Sequence, residues 1–354
     1  MTSAICRRGS SILAAIFIIS TLLYLHQSAF PSSGSNGTLA TSSNKSQAGN
    51  VTLGFGTILV LTTDMTSWRI QGLKKAAEAV GITLTIPELA LPDEDLVHAA
   101  PTDTDDPDSV LDSYRAALSH VALLEHFLDT GHETALIFED DVDFGLSIKD
   151  QMTALSETLW SNAGSTATDH PEDPFNQASW DILWLGHCGL ELVANTHIIH
   201  YNDPNALGWD RLTGCLNDWY TQQRNSGVSQ TVLQGAAPIG SYAYGVTRER
   251  AASLVEENTN RTGRAFDFTL HRDCKGLHQR CTAPVPELFH HHKVIGEKSI
   301  GVEGEVVPQD LAWYQNQHMW TFNIEWSARC NAAGTGEKIS GRRRCMPGLY
   351  DWPF

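Results

Sequence analysis

The chain has 354 residues, 42% of them hydrophobic and 18% charged, with a net charge of −17 at pH 7. That length and balance describe a globular protein with a sizeable core and exclude a disordered one. The acidic surplus argues against a nucleic-acid partner, which needs a basic face, and means that an anionic ligand would need positive charge supplied locally, for example by a metal ion.

Arg7 and Arg8 precede an uncharged apolar run, residues 9–25. A positive flank followed by an apolar run predicts a signal anchor over 9–25, with residues 1–8 as a cytosolic tail, and a cleaved signal peptide as the second reading. Residues 26–54 are rich in Ser, Gly, Asn and Thr and read as a stem. The stem holds glycosylation sequons at Asn36, Asn44 and Asn50, and a fourth lies at Asn260. Residues 55–354 are left as a lumenal domain. The expected placement is a single-pass type II membrane protein of the Golgi. Six cysteines lie beyond the anchor, an even number that suggests disulfides. The sequence-local pairing is 188–215, 274–281 and 330–345.

In the globular part, "GTILVLTT" (56–63) is a β-branched run of strand length. Residues 67–81 have helical spacing, with Ile70, Leu73, Ala76, Ala77 and Val80 on one face and Gly81 as the stop. "ITLTI" (82–86) alternates as a strand. A second helix, roughly 109–129, carries a stripe of Leu111, Tyr114, Leu118, Val121, Leu124 and Leu128. "ALIF" (135–138) and "WDILWLG" (180–186) read as buried strands, and the polar stretch 161–179 between them as a lid or a disordered insertion. Alternating strands and helices predict an α/β fold with a mostly parallel sheet, which binds ligands at the carboxyl ends of its strands.

At such an end the sequence places Glu139, Asp140, Asp141 and Asp143. In an extended segment, side chains alternate faces, so Glu139, Asp141 and Asp143 would share one. Carboxylates that close repel one another unless a cation lies between them. An EF-hand is excluded because Gly145 falls one residue late for the loop's sixth position. Two glycosidase acids are poorly served by adjacent residues. The remaining alternative is a solvated acidic turn. Among "HHHKVIGEKSI" (290–300), one histidine, taken as His291, is a further candidate metal ligand. Asp267, between Phe266 and Phe268, is a candidate functional acid, with Arg272 as a possible partner. "GRRRC" (341–345) reads as a solvated loop.

The stretch "RAALSHVALLEHFLDTGHETALIFEDDVDF" (115–144) resembles the core of glycosyltransferase family 25, with Ser119-His120 on the helix before the acidic strand end. "WDILWLGHCG" (180–189), "GSYAYGVTRERAASLV" (240–255), "AFDFTLHRDC" (265–274) and "PELFHHHKVIGEKSI" (286–300) are similar to later family segments, in the family's order. The stretches 161–179 and 190–235 and the tail after 300 have no counterpart in it. The resemblance implies a GT-A-like fold and an inverting transfer from a nucleotide-sugar, usually UDP-galactose, to a glycan or glycoconjugate hydroxyl. It implies manganese held by Asp141, helped by Glu139 or Asp143, and His291. Glu139, Asp140, Arg69, Ser119 and His120 would bind the donor, and Asp267 would be the general base. Two other readings stay open: a non-catalytic protein that binds nucleotide-sugar or metal, and a secreted hydrolase.

Overall fold

The computed structural model describes residues 47–90, 92–98, 107–163, 173–212, 227–259, 265–276, 280–294 and 319–345. They belong to a compact unit that spans residues 44–354. Its strands are β1 (Thr57–Leu61), β2 (Thr134–Glu139), β3 (Val142–Phe144), β4 (Ile182–Gly186), β5 (Gly189–Tyr201), β6 (Gln230–Ile239), β7 (Ala243–Thr247), β8 (Cys281–Val285), β9 (Phe289–Val294), β10 (Met319–Thr321), β11 (Glu337–Ile339) and β12 (Arg342–Arg344). Its helices are α1 (Trp68–Val80), α2 (Glu94–His98), α3 (Pro107–Asp129), α4 (Ile148–Asn162), α5 (Arg248–Thr259), α6 (Phe266–Lys275) and α7 (Ala328–Ala333).

The architecture is α/β, as expected, and consistent with a GT-A-like fold. A ten-stranded mixed sheet runs β1-β2-β7-β4-β8-β6-β5, with β9 beside β4 and joined to β3 and β10. From the pairings, six of the ten strands (β1, β2, β4, β5, β8 and β9) run in one direction. The reversed strand β7 separates β2 from β4, so the sequence-predicted strands 135–138 and 180–186 are not neighbours in the sheet. Gly245 of β7 has no side chain where the Phe55 ring packs; an added Cβ would meet that ring at 2.5 Å.

The period-2 alternation of the strands builds two cores, one on each face. Ile58, Val60, Leu136 and Phe138 face one side with α1, α4 and α7. Leu59, Ala135 and Ile137 face the other with α3, α5 and α6. Burying each such aliphatic or aromatic side chain stabilises by roughly 1.5–3 kcal/mol. Helix α1 begins where the Ser67 hydroxyl accepts from the Ile70 N–H at 3.4 Å and ends at Gly81, whose φ of 66° suits glycine. Helix α3 buries Tyr114 and Leu124 as expected, and also Leu123 and Phe127.

Several expectations change. The strand over 82–86 reduces to a single bridge, Leu59↔Thr85. The Thr83 N–H is drawn instead to Val51 O at 2.7 Å, which leaves Thr85 alone on β1. Residues 47–54, polar in composition and read as stem, pack into the domain through fully buried Ala48 and Leu53. The end of the 161–179 stretch is also packed: Trp160 Nε1 donates to Asp173 O at 2.8 Å, and Phe175 lies 5.2 Å from Phe55. The long β5–β6 hairpin falls within a stretch to which the sequence assigned no element.

The single-pass type II placement, and the Golgi localisation drawn from it, are corrected. No helix among the described residues is long and apolar enough to cross a membrane. A span needs about 20 mainly apolar residues, and α3, the longest described helix, is interrupted by Asp112, Arg115, His120, Glu125 and His126. The expected anchor, residues 9–25, lies outside the described residues, as do the sequons at Asn36, Asn44 and Asn260.

The disulfides Cys274–Cys281 and Cys330–Cys345 are present, as expected from sequence proximity. The third expected pair involves Cys215, outside the described residues.

Candidate metal centre

Strand β2 delivers Glu139 to the carboxyl end of the sheet, where its N–H donates to Tyr242 O at 3.0 Å. The chain then turns through Asp140 and Asp141 before β3 begins. Strand β3 pairs antiparallel with β9, placing Val142 opposite His291. The His292 N–H donates to Asp141 O at 2.8 Å and closes that corner. Backbone pairing thus brings an acidic turn and a histidine strand together from about 150 residues apart, at the end of the sheet where α/β folds bind ligands.

One carboxylate oxygen each of Glu139 and Asp141 and one ring nitrogen of His291 lie within 4.8 Å of one another. Asp141 Oδ1 and His291 Nε2 are buried and have no hydrogen-bond partner. Buried polar atoms are ordinarily satisfied, so an orphan on each of two members of this cluster marks a place for a missing partner. Glu139 Oε2 lies 3.8 Å from His291 Nε2, too far for a hydrogen bond. Two carboxylates and an imidazole form a donor set suited to a divalent cation.

Local charge differs between the acids. Burial alone would raise the Glu139 carboxyl, but His120 and His291 beside it hold it well below the usual range. Asp140 is pushed up to about 6, first by burial and then by neighbouring Asp141, against the pull of Thr62, Arg69 and Arg329. Thr62 Oγ1 donates to Asp140 Oδ2 at 2.6 Å. Arg69 Nη1 stands 3.9 Å from Asp140 and 4.0 Å from Asp141.

The structure brings Glu139, Asp140, Asp141, His291 and Arg69 together and sets two expected residues apart. Asp143 is fully buried and already satisfied. It accepts from Thr321 Oγ1 at 2.6 Å, Phe144 N at 2.8 Å, Arg329 N at 3.2 Å and the Ser327 hydroxyl. The turn at 140–141 breaks the expected alternation, so Glu139 takes the place beside Asp141 and Asp143 anchors α7. Ser119 turns back on its own helix, donating to Arg115 O at 2.9 Å. His120 is 1% exposed and reaches the site only through Glu139.

Asp267 lies in the first turn of α6, where Oδ2 accepts from Gly240 N at 3.1 Å and Oδ1 from Phe268 N at 2.8 Å. Burial pushes its carboxyl up. Arg272, its suggested partner, pairs instead with Asp273 at 3.0 Å. The two other histidines of β9 have separate tasks. His290 Nε2 lies 3.5 Å from Glu287, and His292 Nδ1 is 2.8 Å from Thr321 Oγ1. The "GRRRC" segment forms half of the β11–β12 hairpin, with Arg344 paired to Glu337.

Sequence reasoning missed Arg329, Ser241 and Tyr242. Arg329 is buried beneath the acidic turn and donates to Asp140 O at 2.5 Å and Val142 O at 2.7 Å. Ser241 Oγ donates to Glu139 Oε1 at 2.7 Å, and the Tyr242 ring centroid lies 3.9 Å from that of His291. The segment 240–255 is similar to a family segment, but nothing local marks its loop as part of the centre. Arg329 lies in the tail after 300, which has no counterpart in the family segments.

No protein-family model and no curated protein matches this chain.

Proposed function

We propose that this chain is a metal-dependent inverting glycosyltransferase. It transfers a sugar, galactose on the resemblance, from a UDP-sugar to a hydroxyl of a glycan or glycoconjugate. The observation that carries this reading is the trio Glu139, Asp141 and His291, with two unpartnered buried donor atoms at the end of a central strand. The order of family-like segments from 115 to 300 supports it.

Asp141, His291 and Glu139 are the residues that would hold the ion, with manganese the choice the resemblance implies. When bound, such an ion supplies positive charge to the departing diphosphate. Asp140 and Arg69, on the adjoining side of the turn, face the donor. Asp267 takes the proton of the acceptor hydroxyl as that oxygen attacks the anomeric carbon. The new C–O bond forms while the bond to the diphosphate breaks, and UDP leaves. A buried carboxylate whose proton affinity is raised suits a general base.

The test is nucleotide release from a panel of nucleotide-sugars, with manganese or with chelator. Manganese-dependent release from one donor, lost in Asp141→Asn while far-UV circular dichroism is unchanged, is the expected result. Release of free sugar from oligosaccharides without any nucleotide dependence would refute it in favour of a hydrolase. Donor binding without turnover, even with a broad set of acceptor glycans, would favour a non-catalytic binder.

A further inference from the structure

We propose that His120 and Ser241 are positioning residues that orient Glu139 as a metal ligand, an inference that rests on the metal reading above. Glu139 has two oxygens with different surroundings. Oε1 accepts from Ser241 Oγ at 2.7 Å and lies 3.4 Å from His120 Nε2. Oε2 is the oxygen turned toward His291. Two donors on one oxygen fix the rotation of the carboxylate and leave the other for the ion.

His120 is itself held on every side. Its Nδ1 lies 3.2 Å from the Tyr244 hydroxyl, and its ring stacks on Phe266 with centroids 4.5 Å apart and planes 4° from parallel. With the Tyr244 hydroxyl donating to Nδ1, the ring proton sits on Nε2 and points at Glu139. Buried at 1% exposure, His120 acts through Glu139 and touches no donor sugar. The same loop serves the base: the N–H of Gly240, next to Ser241, donates to Asp267 Oδ2 at 3.1 Å. One short connection between β6 and β7 therefore fixes both the metal-side carboxylate and the candidate base.

Groups that hold a ligating side chain typically matter by about 10–100-fold in metal affinity. The experiment is a manganese titration of the full chain, followed by loss of the free-ion electron paramagnetic resonance signal. Ser241→Ala and His120→Phe are expected to weaken manganese binding by about 10–100-fold. Ser241→Thr, which restores a hydroxyl, is expected to restore affinity. The metal-free thermal unfolding midpoint of Ser241→Ala is expected to match wild type. If His120→Phe does not fold, the Ser241 pair carries the test. Wild-type affinity in Ser241→Ala overturns the inference and leaves the metal reading standing. Weakened binding matched by a lowered metal-free midpoint overturns it as a general structural effect. No manganese binding by the wild-type chain overturns the metal reading, and this inference with it.

Discussion

Replacing Arg329 with methionine removes a buried cation that is 3% exposed. Its guanidinium donates to three backbone carbonyls: Val142 O at 2.7 Å, Arg69 O at 2.8 Å and Asp140 O at 2.5 Å. These belong to the acidic turn, the start of β3 and α1, so one side chain ties the three together. The carboxylates of Asp143, Asp141 and Asp140 also lie in its field. A buried carbonyl left without its donor costs roughly 1–3 kcal/mol. Three carbonyls lose a donor together and the nearby carboxylates lose a compensating charge, so with partial relaxation the expected loss is about 3–5 kcal/mol. Against a typical total of roughly 5–15 kcal/mol, that is a large fraction. Urea unfolding followed by tryptophan fluorescence measures it. Arg329→Lys keeps the charge but cannot span three carbonyls, so it should fall between Arg329→Met and wild type. A loss of about 1 kcal/mol or less in Arg329→Met, the average for point mutants, would refute the reasoning.

Asp267→Asn should lower kcat by roughly 10²–10⁴-fold, the usual contribution of a general base, with little change in donor affinity. Because burial raises the Asp267 carboxyl, the acid limb of the wild-type pH–rate profile should lie above 3.8, the ordinary aspartate value. The double variant Cys330→Ser/Cys345→Ser opens a bridge with a sequence separation of 15 and should cost about 3 kcal/mol in urea unfolding. His187 is fully buried with Nε2 on Pro284 O at 2.9 Å, and burial lowers its imidazole from 6.5 to about 4. The folded form therefore resists protonation. Its contribution is full above pH 6.5 and is lost as pH falls toward 4, by roughly 3 kcal/mol in all. The unfolding midpoint should drop between pH 6.5 and 5, with a shallower slope in His187→Gln.

The sequence by itself determined the local elements and the two halves of the candidate centre. The apolar runs 56–63 and 135–138 are strands because β-branched and aromatic side chains fit a sheet buried on both faces. The spacing of Ile70, Leu73, Ala76 and Ala77 is a helix because those positions fall on one stripe, and all four are buried. The acids after Phe138 and the histidines at 290–292 were each visible as unusual local composition. Tertiary structure decided which of them meet. The turn at Asp140–Asp141 breaks the strand alternation, and the β3–β9 pairing sets His291 opposite Val142, so Glu139 joins the trio while Asp143 turns to α7. Such a choice depends on hydrogen bonds between segments far apart in the chain, and no local periodicity encodes it. The same holds for Arg329, whose role follows from three carbonyls between 187 and 260 residues away. A buried guanidinium is recognisable by the acceptors around it, and only the folded chain brings those acceptors to it.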